Sequence, residues 1–334
     1  MALASSEEMA AAISNGDRRA LARAITLVES TRGDHRNQAI ELLDLLANQA
    51  GSALRIAISG TPGVGKSTFI ESFGKHVIAD GHRIAVLAID PSSTLSGGSI
   101  LGDKTRMELL TRHPDAFIRP SPTGGILGGV AARTREAMLL CEASGFDVVV
   151  VETVGVGQSE TMAAQMTDMF VLLLGPGGGD ELQGIKRGII ELADLILVNK
   201  ADGELEHVAS KAVSEYRLAL QLIRPRSEHW QVPVETCSAL RDTGVLESWH
   251  RICGYQQIMS EHGEIAVRRA TQAKSWMYSE INDALGQRFR ASARVQAELG
   301  AIESAVAQGK IPPTTAAQRL LDLFQPEDVS EDKK

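Results

Sequence analysis

Eight consecutive residues, Gly60-Thr61-Pro62-Gly63-Val64-Gly65-Lys66-Ser67, carry the strongest chemical signal in the chain. Glycines let successive backbone N–H groups turn inward around an anion, a lysine behind them can reach terminal phosphates, and the adjacent hydroxyl can ligate Mg²⁺. The run follows the short apolar segment Leu54 to Ser59 and precedes Ser67 to Ala79, which has helical composition. A helix N-terminus placed there adds its dipole to the same anion site. Gly60, Thr61, Pro62, Gly63, Val64, Gly65, Lys66, Ser67 and the following Thr68 are therefore the expected phosphate ligands.

A metal held by Ser67 needs a second side, and Val148-Val149-Val150-Val151-Glu152-Thr153-Val154-Gly155 offers one. A buried strand would deliver the Glu152 carboxylate, and the Gly155 N–H would meet the terminal phosphate. Asp90, in Asp90-Pro91-Ser92-Ser93 at the end of the apolar run Ile84 to Ile89, and Asp103 in the loop beyond are further carboxylates able to approach metal or attacking water. Each has a plainer reading as well, Asp90 as a turn opener before proline and Asp103 as a helix cap. The expected metal set is Ser67, Asp90, Asp103 and Glu152.

Base selection falls to Asn199-Lys200-Ala201-Asp202, which follows the apolar run Asp194 to Val198 at the edge where a sheet of this kind binds ligand. A carboxylate at Asp202 accepts from both the ring N–H and the exocyclic amine of guanine. Adenine offers a lone pair at the ring position and leaves the carboxylate unpaired, so GTP and GDP are expected and ATP is not. Lys200 would cover the base with its methylene stem, while Asn199 would tie neighbouring loops together. Ser238-Ala239-Leu240 would give a backbone N–H to the guanine carbonyl.

These motifs sit at the ends of apolar runs that recur through the chain at Leu54 to Ser59, Ile84 to Ile89, Asp147 to Val151, Met169 to Leu174, Asp194 to Val198 and Val232 to Cys237. Helical segments separate several of them, including Val130 to Ala143 and Leu205 to Leu222. Strands that are apolar on both faces and alternate with helices predict an α/β fold, a mostly parallel central sheet flanked by helices. Ahead of it, Leu21, Ile25 and Val28 form one helical stripe, and Ile40, Leu43 and Leu46 another. Beyond about Gly263 the strands stop, and Met277, Ile281, Leu285 and Phe289 lead a helical tail. The expected division is an N-terminal helical extension over 1–53, a nucleotide-binding domain over 54–262 and a C-terminal helical extension over 263–334.

The whole chain has 334 residues, with 34 Lys and Arg against 42 Asp and Glu, a net charge of −8 and only 4% aromatic residues. An acidic chain short of stacking rings is not expected to bind nucleic acid. Its three cysteines, Cys141, Cys237 and Cys253, form no CxxC pair, so no disulfide framework or zinc knuckle is expected. The apolar runs fall far short of the ~20 residues of a membrane helix, and no basic patch precedes an apolar run at the N-terminus. A cytoplasmic protein without a membrane partner is the expectation.

Taken with Glu152-Thr153-Val154-Gly155-Val156-Gly157-Gln158-Ser159 and the glycine-rich Gly177-Gly178-Gly179-Asp180, the phosphate loop, the Asp90 segment and Asn199 to Asp202 resemble the methylmalonyl-CoA mutase-associated GTPases of MeaB/ArgK type, within the SIMIBI class of P-loop NTPases. The resemblance covers nearly the whole chain. It implies a G-protein chaperone of an adenosylcobalamin-dependent mutase, guarding that enzyme against inactivation and gating cofactor loading or exchange, in a homodimer built through the C-terminal helices. Val156 stands where small signalling GTPases carry a water-orienting glutamine, and Gln158 lies two residues on, so slow intrinsic hydrolysis stimulated by a partner is expected, with Lys66, Asp90, Glu152 and Gln158 as the catalytic set. The stretch from Gly175 to Gly188 carries Asp180 and Lys186 among its glycines and reads either as an ordinary connection or, as the resemblance supports, as a nucleotide-sensing switch. Rival functions are a kinase of a transport-system binding protein and a metallochaperone GTPase. The second is disfavoured because the eight histidines are scattered, none at i, i+4 or beside a cysteine.

Overall fold

A computed structural model describes residues 5–30, 32–89, 107–120, 127–153, 158–177 and 187–324. The chain forms two compact units, Met1–Gln272 and Ala273–Lys334. The first holds a seven-stranded sheet, β1 (Leu54–Gly60), β2 (Ile84–Ile89), β3 (Ala116–Arg119), β4 (Val148–Thr153), β5 (Met169–Leu174), β6 (Leu195–Val198) and β7 (Val234–Thr236). Their order across the sheet is β3-β2-β4-β1-β5-β6-β7, and every pairing is parallel. The C-terminal ends of the strands therefore lie along one edge, which is where such sheets hold ligands. β1 lies in the middle, with β4 and β5 on its two sides, so the C-terminal ends of β1 and β4 are adjacent.

The strands are buried on both faces because helices cover each side. β1, β4, β5 and β6 are buried along their whole length, the near-continuous apolar pattern expected of parallel strands. One strand was not foreseen. Ala116–Arg119 is a four-residue edge strand whose last two residues are only half buried, too short for any periodicity to declare it. At the other edge only Val234–Thr236 of the expected run is strand.

Among the described residues three α-helices precede β1: α1 (Ser6–Ser14), α2 (Arg18–Glu29) and α3 (Gly33–Leu46). Ser5 and Glu8 close a capping box on α1, and Asp17 caps α2 by accepting from the N–H groups of Arg19 and Ala20. Leu21, Ile25 and Val28 are fully buried along α2. The second stripe needs correction. On α3 the buried face is Ala39, Leu42 and Leu46, whereas Ile40 is 46% exposed and Leu43 half buried. Both sets have helical spacing, and packing against α1 and the helix Leu127–Ala143 selected the one that includes the smaller alanine. The N-terminal helices belong to the same compact unit as the sheet.

At the sheet edge opposite the ligand loops, a buried ionic cluster ties the last helix of this unit to the strands. Asp168, fully buried just before β5, accepts from Arg269 Nε at 2.7 Å and Nη2 at 2.6 Å, and from the Arg55 backbone N–H at 2.9 Å. Arg269 also donates to the Ala53 carbonyl at 2.6 Å, and Arg268 approaches Asp194, just before β6, at 3.4 Å. Arg55 pairs bidentately with buried Glu142 at 2.5 and 3.1 Å. Charges so deeply buried are tolerable only because each is paired and hydrogen-bonded. The helix that carries Arg268 and Arg269 runs over Glu264–Ala291, so the boundary between the two units falls inside it. No helix among the described residues is long and apolar enough to cross a membrane.

Candidate functional site

β1 ends on Gly60, where an added Cβ would strike the Leu173 carbonyl of β5. The chain then turns through Gly63 (φ 80°) and Gly65 (φ 97°), both in the left-handed region that side chains resist. Gly65 caps the helix α4 (Lys66–Ala79), and a Cβ there would lie 2.7 Å from Asn199 Nδ2. Lys66 opens the helix and is only 9% exposed. Its Nζ donates to the Gly60 carbonyl at 2.7 Å and the Thr61 carbonyl at 3.2 Å, which holds the ammonium inside the loop. Burial lowers the Lys66 pKa, and the charges of Glu152 and Glu160 act against that shift. Val64 is buried beneath the loop, whereas Pro62 and Thr68 are exposed.

Register brings the second carboxylate in. Glu152 pairs with Ile58 of β1 on one side and Ala88 of β2 on the other, and its Oε1 accepts from Ser67 Oγ at 3.1 Å. Beside it Thr153 Oγ1 donates to Ser59 Oγ at 2.8 Å. A hydroxyl and a carboxylate held this close form an all-oxygen donor set, the kind a hard divalent cation such as Mg²⁺ takes.

The loops after β6 and β7 reach the Gly60 to Ser67 loop. Asn199, 2% exposed, donates from Nδ2 to the Val64 carbonyl at 2.8 Å and accepts at Oδ1 from the Ala239 N–H at 3.0 Å, so one side chain joins the phosphate loop to the β7 loop. Lys200 adopts φ 61° and its Nζ donates to the Gly63 carbonyl at 2.8 Å. Ser238, fully buried, donates through Oγ to Asp202 Oδ2. Leu240 is 78% exposed at the tip of the loop. Three loops, the first of them far along the chain from the other two, thus converge on one edge.

A family model described as Methylmalonyl Co-A mutase-associated GTPase MeaB matches residues 21–294. The chain belongs to the MeaB family. Among its relatives, GTPase ArgK of Escherichia coli (strain K12) is 44% identical over 310 residues, covering 93% of this chain and 94% of that protein. The mitochondrial methylmalonic aciduria type A homolog of Mus musculus is 49% identical over 320 residues, covering 93% of this chain and 77% of that protein. The crystal structure of a LAO/AO transport system kinase superposes with a TM-score of 0.76 at 37% identity, covering 98% of this chain and 99% of that one. The resemblance carried by the motifs therefore holds, and the chain is a GTP-hydrolysing P-loop enzyme that binds guanine nucleotide.

Within this MeaB-family chain, Asp90, Asp103, Gly155, Asp180 and Lys186 lie outside the described residues, as does the side chain of Gln158, whose backbone opens the helix Gln158–Ala164. Sequence reasoning gave no role to Ser159, which closes the quoted Glu152 to Ser159 motif, and passed over Glu160 beside it in the first turn of that helix. Both are buried, Ser159 Oγ donates to Glu160 Oε2 at 3.2 Å, and Glu160 contributes to the field around Lys66. Their one sequence signal is an acidic residue in the first turn after a glycine-rich loop. Among the described residues, two clefts of about 610 and 660 Å³ lie along β7, share Arg217, Glu235 and Arg251, and include none of the phosphate-loop residues. Among the described residues no cluster of three His, Cys, Asp or Glu could hold a metal ion.

Proposed function

We propose that this GTPase is a chaperone of an adenosylcobalamin-dependent methylmalonyl-CoA mutase, protecting the mutase from inactivation and gating the loading or exchange of its cobalamin. The family match over residues 21–294 carries this reading, and the methylmalonic aciduria type A relatives support it. In it Lys66 and the glycine N–H groups bind the phosphates, Asp202 takes the guanine edge, and Ala239 and Leu240 face the guanine carbonyl. Ser67 and Glu152 would hold Mg²⁺, with Asp90 and Asp103 as further candidates. A cation there offsets charge on the β- and γ-phosphate oxygens. Val156 in place of a water-orienting glutamine supports slow intrinsic turnover, with Gln158, Asp90 or a residue of the Gly177 to Gly188 loop repositioned by the partner. The deciding experiment is co-purification with a cobalamin mutase, with and without a non-hydrolysable GTP analogue. Nucleotide-dependent association is expected; equal recovery in both conditions, or none, overturns the chaperone reading.

The likeness to a LAO/AO transport system kinase, at 37% identity, favours one alternative, a protein kinase of a transport system. Radiolabelled γ-phosphate separates the two, since a GTPase releases it to solution and a kinase leaves it on protein.

The homodimer is part of the same proposal. On the helix Glu264–Ala291, Met277, Ile281 and Leu285 recur every four residues and are 51%, 44% and 49% exposed. An apolar stripe of this length supports a partner helix. Ile281→Asp is expected to shift the protein from dimer to monomer in sedimentation velocity at micromolar concentration while GTP hydrolysis in isolation is retained. A monomeric parent protein would remove the dimer from the proposal.

A further inference from the structure

Two non-glycine residues among the described residues have positive φ, Lys200 at 61° and Asp242 at 59°. A left-handed backbone at a residue other than glycine persists only where its surroundings hold it, and such positions gather at functional sites. Lys200 belongs to the base motif already described. Asp242 falls in none of the sequence motifs, yet it lies in the loop that presents Ser238, Ala239 and Leu240.

What holds Asp242 is the helix behind the phosphate loop. Ser72 and His76 are one turn apart on α4 and face the same carboxylate oxygen. Ser72 Oγ donates to Asp242 Oδ1, and His76 Nε2 lies 2.8 Å from it. Burial works to raise the Asp242 pKa, but the hydrogen bonds of Ser72 and His76 outweigh it and leave the carboxyl below its ordinary value. The loop itself is closed by Ser238 and Thr243, which exchange both backbone hydrogen bonds at 2.9 and 3.1 Å. Asp242 therefore sits one residue from the point where the loop is pinned. Inside the closed loop the Ser238 hydroxyl accepts from the Arg241 N–H at 3.1 Å and donates to Asp202, while the Ala239 N–H donates to Asn199. Beyond it, Gly244 (φ 74°) caps the helix Val245–Glu261, and a Cβ at Gly244 would lie 2.6 Å from the Thr236 carbonyl. Trp249 of that helix packs edge-on against Phe73 of α4 at 5.7 Å. α4 thus holds the loop through the polar clamp at Asp242 and packs through an aromatic contact on the helix that follows the loop.

We propose that Asp242 is a positioning residue for guanine recognition, clamped by Ser72 and His76 so that the loop carrying Ser238 and Ala239 is held in register with the phosphate-loop helix. The inference rests on the reading of Asp202 as the guanine acceptor. Its physical content is that α4 starts at Lys66 under the phosphates and reaches the base loop at Ser72 within two turns, so one rigid element sets the spacing between the two ends of the nucleotide. Without the clamp, the Ser238 hydroxyl and the Ala239 N–H lose their fixed relation to Asp202 and Asn199. The nucleotide then has to order the loop as it binds, which weakens affinity.

The test uses the full chain and GDP as probe, with titration of GDP affinity and the thermal midpoint of the nucleotide-free protein as paired readouts. Asp242→Gly removes the clamp and at the same time relieves the positive φ, so GDP binding is expected to weaken about tenfold with the midpoint unchanged or raised. Asp242→Asn keeps an acceptor for Ser72 and tolerates a left-handed backbone, and should stay within about threefold of the parent. Ser72→Ala with His76→Ala should reproduce the glycine variant's loss, and combining them with Asp242→Gly should add nothing. GDP affinity within twofold of the parent for Asp242→Gly, additive losses, or a midpoint that falls in step with affinity would each overturn the proposal. Asp202→Asn runs alongside. If it leaves GDP affinity unchanged, the guanine reading has failed; if it weakens GDP binding while Asp242→Gly does not, only the clamp has failed.

Discussion

Lys66→Ala is expected to lower kcat/KM for GTP on the order of 10³-fold. The reason lies in where the side chain already is. Lys66 is 9% exposed, and its Nζ is held by the Gly60 and Thr61 carbonyls inside the loop that would surround the phosphates. An ammonium placed before substrate arrives costs no reorganisation when charge develops on the terminal phosphoryl oxygens. Its burial lowers its pKa, and an anion brought against the ammonium would oppose that shift. Alanine removes the cation and leaves Glu152 and Glu160 facing the phosphates without it. Steady-state phosphate release, with a fluorescent GTP analogue to follow affinity, measures the loss. A variant within tenfold of the parent would mean that this cation does not act on the reacting phosphate.

Asp202→Asn is expected to weaken GDP binding by about 10²–10³-fold and to create affinity for xanthosine diphosphate in its place. In the proposed reading the carboxylate would offer two acceptors to guanine, one to the ring N–H and one to the exocyclic amine. Asparagine has the same shape but presents an amide N–H₂ on one side, which clashes with a guanine donor and suits the extra carbonyl of xanthine. Ser238 Oγ donates to Asp202 Oδ2 and so orients the carboxylate before any base enters. Asn199 keeps its own bonds to Val64 and Ala239, so the exchange tests the base contact rather than the loop framework. Competition titration with both diphosphates is the measurement. Equal GDP affinity in parent and variant would remove Asp202 from base recognition.

Much of this molecule was legible because its chemistry is written in local runs. Gly60 to Ser67 declares its function through residue types at fixed spacing, and the strand before it and helix after it follow from apolar pattern and composition. Five of the expected apolar runs became strands of nearly the expected length. What failed were signals that depend on a neighbour. Ala116–Arg119 is a strand because β2 is beside it, and four residues carry no period of their own. On α3 two stripes of helical spacing were available, and only packing decided that Ala39, Leu42 and Leu46 face inward rather than Ile40.

By itself, then, the sequence determined the fold class and the family, both of which are carried by contiguous residues whose pattern does not depend on where the chain goes next. Strand order was beyond it, since six runs apolar on both faces are interchangeable until they pair. Only the tertiary structure set Glu152 beside Ser67, put Asn199 between Val64 and Ala239, and joined Asp168 to Arg269 across 101 residues and His76 to Asp242 across 166. Those contacts are made by single polar side chains, and one aspartate or histidine in a sequence has no pattern that names its partner.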